Sequence, residues 1–274
     1  MGRRDRPGAT AGAFVRMMRY YIEPSRWSSE YMILTDEEAH HLLHVLRGEV
    51  GEEVMVMDGA GRQAVVRIAE VSRKEARVEV LRQVHRPPPV VAVTLIQALP
   101  REQKMDLIVQ KATELGVRHI VPVVSDQGVV RVKAGEDAAK RERWKKIALS
   151  AAKQSGCAWL PEIHPVTPLL DYLAAMPRFD LWMTCSLEPD SAPLRQVLEA
   201  ARPHRPRSLA FLVGPEGDLT ARERAAARNG GARMVSLGDL VLRSETAAMY
   251  VLSILHYECS GAPETRADKA VELT

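Results

Sequence analysis

The chain has 274 residues, 46% of them hydrophobic, enough for two domains with buried cores. Its net charge of +3 is too mild to announce a nucleic-acid binder, so any basic surface must be local. No run approaches the roughly 18 apolar residues of a membrane span. The three cysteines, Cys157, Cys185 and Cys259, are odd in number and far apart, which argues against a disulfide framework or a zinc site and for a reduced, cytoplasmic setting.

Residues 1–17 stand apart. Arg3, Arg4, Arg6 and Arg16 face only Asp5, and no apolar stretch suggests a secretory signal. A basic arm for RNA is one reading. The expectation is a disordered extension, or an upstream start with Met17 or Met18 as the natural beginning.

From Tyr20 to Arg86 the pattern is mainly strand-like. Segments 51–57, 61–68 and 76–82 alternate, with a hairpin signal at Asp58-Gly59, so a small β-barrel is expected. One helix interrupts: Thr35 and Glu38 form a capping-box pair, followed by the apolar stripe of His40-His-Leu-Leu-His-Val-Leu46. His40 and His44 share a helix face, but no carboxylate or cysteine joins them, and no metal is expected there. The run Pro87-Pro-Pro89 is stiff and lacks amide donors, which suits a linker.

From Val90 strands and helices alternate. The spacing predicts a strand at 90–96, a helix at 102–115 ended by Gly116, a strand at 119–124 and a helix at 137–154 with Trp144, Ile147, Ala148 and Ala151 on its apolar face. Then come a strand at 180–184, a helix at 194–201, a strand at 208–213, a helix opened by a Thr220/Glu223 capping box and closed by Gly230-Gly231, and a last helix with Ser244 as its N-cap. Alternation of this kind implies a mostly parallel α/β sheet.

Two loops in this half have the makings of a pocket. Gly214-Pro-Glu-Gly217 follows a strand and lacks the glycines and lysine of dinucleotide and phosphate loops. Its glycines still permit close backbone approach, Pro215 fixes a dihedral, and Glu216 can accept hydrogen bonds. The second loop, Leu237-Gly-Asp-Leu-Val-Leu242, is oddly apolar and ends on Arg243 before a helix, which suits a flat, partly apolar ligand such as adenine. The basic segment 131–146 reads either as a solvated helix face or as a phosphate-contacting strip.

Together, His40-His-Leu-Leu-His-Val-Leu-Arg47, Gln110-Lys-Ala-Thr-Glu-Leu-Gly116, Gln154-Ser155 with Pro161-Glu162, Gly214-Pro-Glu-Gly217 and Leu242-Arg-Ser-Glu-Thr-Ala247 resemble the 16S ribosomal RNA (uracil-N3)-methyltransferase family. The resemblance runs from about Met18 to Glu258. It implies a PUA-like RNA-binding barrel (18–86), the linker (87–89), a SPOUT-class α/β domain with a deep C-terminal trefoil knot (90–260) and a loose tail (261–274). It also implies a homodimer acting on 16S rRNA, with the assembled small ribosomal subunit as its setting, no membrane and no metal. The cofactor implied is S-adenosylmethionine, leaving as S-adenosylhomocysteine.

By the same resemblance, Leu212, Gly214, Pro215, Glu216 and Gly217 line the cofactor from the first loop. Leu237, Gly238, Leu240, Leu242, Thr246 and Ala247 line it from the second. Arg243 is expected to stabilise charge on a uracil oxygen, with Glu216 or Glu245 orienting the base or taking its proton. RNA contacts are expected at Arg47, Arg131, Lys133, Arg141, Lys145 and Gln154. The chain departs from the family pattern at Gln127-Gly128, at Cys157 and at Asp218, where arginine-serine, arginine and glycine respectively are usual. Other readings of the same residues are a ribose 2′-O-methyltransferase of this fold class and a non-catalytic RNA-binding assembly factor.

Overall fold

The structure is a computed structural model that describes residues 17–45, 47–101, 104–128, 136–259 and 271–273. It divides into two compact units. The first holds residues up to Pro88, the segment Ala152–Trp159 and the C-terminal strand; the second holds Pro89–Ala151 and Leu160–Gly261.

The first unit contains β1 (Arg19–Tyr21), β2 (Tyr31–Leu34), α1 (Asp36–His40), β3 (Glu53–Met57), β4 (Arg62–Val71) and β5 (Ala76–His85). The order is β1-β3-β4-β5, with β2 also on β5; β1 runs parallel to β3 and the other ladders are antiparallel. Every strand sends side chains to one core, which holds Tyr20, Met32, Leu34, Val56, Val66, Ile68 and Val78, capped by Leu42. That convergence is what period-two alternation produces when a sheet wraps around one interior. The expected hairpin forms between β3 and β4, where buried Asp58 accepts from the amides of Ala60 and Arg62 at 2.8 and 2.9 Å. Gly61 (φ +98°) is obligatory there: a Cβ would lie 2.6 Å from the Arg86 carbonyl oxygen and 2.7 Å from the Trp159 ring. The Trp159 indole in turn donates to the carbonyls of Arg86 and Pro87, both at 3.1 Å.

The Thr35/Glu38 capping box does not form. Asp36 takes a left-handed backbone (φ 52°), and both side chains have other partners. The Thr35 hydroxyl donates to Asp36 and accepts from Arg26, while Glu38 pairs with Lys153 at 2.6 Å. The helix then widens into a π-turn over His41–Val45.

The second unit contains β6 (Ala92–Ala98), α2 (Lys104–Glu114), β7 (His119–Val124), α3 (Glu136–Ser155), whose last turn belongs to the first unit, β8 (Glu162–Ile163) and β9 (Thr167–Pro168). It continues with α4 (Leu169–Ala175), β10 (Leu181–Cys185), β11 (Ala192–Pro193), α5 (Leu194–Ala201), β12 (Ser208–Val213), α6 (Ala221–Asn229), β13 (Arg233–Ser236) and α7 (Ser244–Cys259). A final strand, β14 (Val271–Leu273), pairs with β5 in the first unit. The sheet order is β11-β13-β10-β12-β6-β7-β8, with β9 on β7 and every ladder parallel.

Both faces of this sheet are covered. Leu209, Phe211 and Val213 of β12 enter a core with residues of α2, α3, α5 and α7; Ala210 and Leu212 enter the opposite core with residues of α4 and α6. Burial on both faces explains why these strands read as continuous apolar runs. The second capping box is present as expected, with Thr220 accepting from the Glu223 amide and Glu223 accepting from the Thr220 amide. Ser244 is not a cap. The Arg243 carbonyl accepts the first helical bond of α7, from Ala247, so Arg243 holds the cap position and Ser244 opens the helix from a buried site.

Candidate active site

In an open parallel sheet, ligands bind beyond the carboxyl ends of the strands. Here the adjacent strands β13, β10 and β12 end around a cleft of about 230 Å³. Cys185, Ser186 and Leu187 form one wall. Val213 to Glu216 and Asp218 form the second, and the apolar loop from Ser236 through Leu242, with Arg243, Ser244 and Ala247, the third.

The Gly214 loop is a tight turn, with the Asp218 amide bonded to the Pro215 carbonyl at 3.0 Å. Asp218 itself adopts φ 62°, a conformation glycine takes freely and aspartate tolerates. Its carboxylate lies 3.4 Å from the Arg224 guanidinium. On the other loop Gly238 (φ 121°) is needed for the backbone path, and the Ser236 hydroxyl accepts from its amide at 3.3 Å.

Buried polar bonds lock the walls together. The Ser244 hydroxyl donates to the Gly214 carbonyl at 3.1 Å and accepts from the buried Gln97 amide nitrogen at 2.8 Å. Glu223, fully buried, accepts from the Ser125 hydroxyl, the Asp126 amide, and the amide and hydroxyl of Thr220, all within 3.0 Å. It thereby ties the loop after β7 to the loop after β12.

Three charges cluster at one edge of the cleft. Lys104 lies 3.2 Å from Glu216 and 3.7 Å from Glu245, and the Arg101 amide donates to Glu216 at 3.2 Å. Burial works against ionisation of Glu216, but its backbone hydrogen bond, Lys104 and the Arg101 amide outweigh it, so its carboxyl sits below the usual range. One Glu245 oxygen is buried without a hydrogen-bond partner among the described residues. Arg243 is exposed, and its guanidinium has no partner among the described residues. The Cys185 thiol is pushed up to about 12 by burial, so it stays protonated.

Most of the expected cofactor residues meet here: Gly214, Pro215, Glu216, Leu237, Gly238, Leu240, Leu242 and Ala247 line the cleft, as does Arg243. Four expected site residues do not. Leu212 points into the opposite core because it alternates with Val213 along β12. Gly217 lies past the turn against Gln127, Glu245 faces Lys104, and Thr246 is on the exposed side of α7. Among the expected RNA contacts, Arg141 is instead committed to the fold, donating to the Ile163 carbonyl at 2.7 Å. Lys145 pairs with Glu142, Arg47 and Gln154 are exposed, and Arg131 and Lys133 lie outside the described residues. The sequence reading missed Lys104, Gln97 and the Cys185–Leu187 wall. A signal existed for Gln97, a polar residue ending an apolar strand, and for Ser186, a small polar residue just past one.

An apolar floor between two loops, with backbone groups at its edge and an opening to solvent, fits S-adenosylmethionine gripped along one flank. Comparison with known proteins agrees. Residues 86–256 match the RNA methyltransferase domain family and residues 34–81 the RNA methyltransferase PUA domain. The ribosomal RNA small subunit methyltransferase E of Bacillus subtilis is 30% identical over 248 residues, covering 88% of this chain and 97% of that protein. The crystal structure of the Neisseria gonorrhoeae enzyme of that name, bound to S-adenosyl methionine, is 30% identical with a TM-score of 0.77, covering 88% and 98% of the two chains. A methyltransferase of Legionella pneumophila, solved with its cofactor SAM, is 27% identical with a TM-score of 0.79, covering 89% and 98%. The chain is therefore an S-adenosylmethionine-dependent RNA methyltransferase of the SPOUT class with an N-terminal PUA domain, and it belongs to the ribosomal RNA small subunit methyltransferase E family.

Proposed function

We propose that this enzyme methylates N3 of one uridine in the decoding region of 16S rRNA, in the cytoplasm and on the assembled small subunit. The observation that carries the reading is Arg243: an exposed guanidinium, unpartnered among the described residues, at the rim of the cleft and the N-terminus of α7. Uracil N3 holds its proton at neutral pH, so methylation requires an anion spread over the two flanking carbonyls. A free guanidinium and a helix N-terminus both favour that charge. The cofactor, held by Gly214–Glu216, Leu237–Leu242 and Ala247, supplies an electrophilic methyl on sulfur. Glu216 is bonded to Arg101 and Lys104 and is held ionised at low basicity, so in this reading it positions the loop and the N3 proton leaves to solvent. Glu245 and Lys104 brace the same corner.

The reading includes a homodimer and knotted cofactor loops. What supports the dimer is an apolar surface that no described residue covers. Leu240, Val241 and Tyr257 are 77%, 76% and 80% exposed, and a groove between α5 and α7 shares Ser236, Leu237 and Gly238 with the cleft. A second copy seated there would complete the mouth of the site.

The test is mass spectrometry of 16S rRNA from a strain lacking the gene, with and without the wild-type enzyme. Loss and recovery of an N3-methyluridine is the expected result. A uridine still methylated in the deletion overturns the reading; a missing ribose methyl would assign the enzyme to 2′-O chemistry.

A further inference from the structure

The sheet has a second cluster of chemistry at its other end, unconnected with methyl transfer. His119 opens β7 and Glu162 opens β8, and the two are paired in register, so their side chains leave the same face. His164 follows Glu162 by two residues and returns to that face, while Ile120 and Ile163 between them are buried in the core. The register is fixed by the Glu162 amide on the Arg118 carbonyl and the His164 amide on the Ile120 carbonyl, both at 2.9 Å. The Arg141 guanidinium holds β8 from behind through the Ile163 carbonyl.

The three side chains converge. His119 Nδ1 lies 3.3 Å from His164 Nε2 and 3.5 Å from one Glu162 oxygen, and His164 Nε2 lies 4.0 Å from the other. A tetrahedral zinc ion with bonds of about 2.0–2.2 Å needs ligand atoms roughly 3.3–3.6 Å apart. We propose that His119, Glu162 and His164 form a binding site for a divalent transition-metal ion, zinc by its donor set, that staples β8 to β7. Two imidazole nitrogens and one carboxylate suit zinc and its neighbours rather than magnesium or calcium. All three residues reach solvent, which leaves an open fourth position for water. The site lies where β7 and β8 begin, whereas the cofactor cleft lies where β10, β12 and β13 end, and the two share no residue.

The experiment uses the full chain, stripped with a chelator, and titrates it with cobalt(II) followed by zinc displacement. One equivalent should bind with visible ligand-field bands, and zinc should abolish them. The His119→Gln/His164→Gln double variant should lose the bands and bind more than about 100-fold more weakly, beyond the usual effect of outer-shell partners. Glu162 is a surface residue, so Glu162→Gln should keep the fold and weaken binding in the same direction. Saturating zinc should raise the unfolding temperature of the wild type and not of the double variant. Cobalt binding that survives in the double variant overturns the proposal. So does binding that is lost instead in His44→Gln, which would place the ion on the His40–His44 pair. A wild-type protein that takes up no cobalt also overturns it.

Discussion

The hydroxyl of Ser244 donates to the carbonyl of Gly214 across 3.1 Å and joins the first turn of α7 to the end of β12. The same hydroxyl accepts from Gln97 at 2.8 Å, so one atom connects β6, β12 and α7. Ser244→Ala should cost about 1–3 kcal/mol, because it leaves the buried Gln97 amide without its acceptor. It should also weaken cofactor affinity, since the two loops lose their fixed spacing. Denaturant unfolding and S-adenosylmethionine calorimetry measure the two effects. An unchanged affinity with a clear loss of stability would show that the loops hold their spacing without this bond.

Glu216 gives a pH prediction with a definite sign. Its carboxyl is held below the ordinary value of 4.5 in the folded chain, despite the opposing effect of burial. A depressed folded pKa contributes stability that is complete above 4.5 and is lost as pH falls through the folded value. The wild type should therefore be more stable than Glu216→Gln at pH 7, and the gap should close on acidification below about 4.5. In Lys104→Met the same comparison should show a smaller gap at pH 7. A gap that is constant from pH 7 to pH 4 would contradict the linkage.

The legible parts of this chain were those set by local periodicity. The β12 strand and α5 fall at 208–213 and 194–201 as the apolar spacing predicts, because burial on a sheet or helix face leaves a repeating mark. The Thr220/Glu223 box was legible because both partners lie within one turn. The same pattern at Thr35/Glu38 failed because Lys153, 115 residues away, takes the glutamate. Lys104 was invisible for a similar reason: nothing in its neighbourhood announces two carboxylates, one from a loop and one from the first turn of α7, 112 and 141 positions further on. The cluster of His119, Glu162 and His164 depends on the parallel register of β7 with β8, which spacing along the chain does not encode. The Leu212 side chain falls on the face away from the cleft because a motif marks a segment, whereas the strand sends alternate side chains to opposite faces.

Arg243→Ala separates binding from chemistry. The guanidinium is exposed and unpartnered among the described residues, so its removal leaves no buried group stranded. Stability and cofactor affinity should change little, and kcat should fall by about 100-fold or more, the scale of losing one charge-stabilising donor. Single-turnover methylation of 16S rRNA or small subunits, paired with cofactor calorimetry, measures both. Loss of cofactor binding with chemistry intact would contradict the role assigned.

Glu223 shapes the cleft without lining it, by tying the loop after β7 to the loop after β12. Its carboxylate is fully buried and accepts four hydrogen bonds, from Ser125, Asp126 and twice from Thr220. Glu223→Ala leaves those donors unsatisfied and should cost about 2–4 kcal/mol, or roughly 5–15 °C in unfolding temperature for a domain of this size. Glu223→Gln should rescue only part of this: three of the four donors share one carboxylate oxygen that an amide oxygen can replace, but the amide NH₂ then faces the Asp126 amide, which needs an acceptor. Because the same carboxylate fixes the loop after β12 through Thr220, both variants should also bind S-adenosylmethionine more weakly than the wild type at temperatures where they remain folded. If Glu223→Gln matches the wild type in both stability and affinity, neither the charge nor the bond to the Asp126 amide is needed to hold the loop.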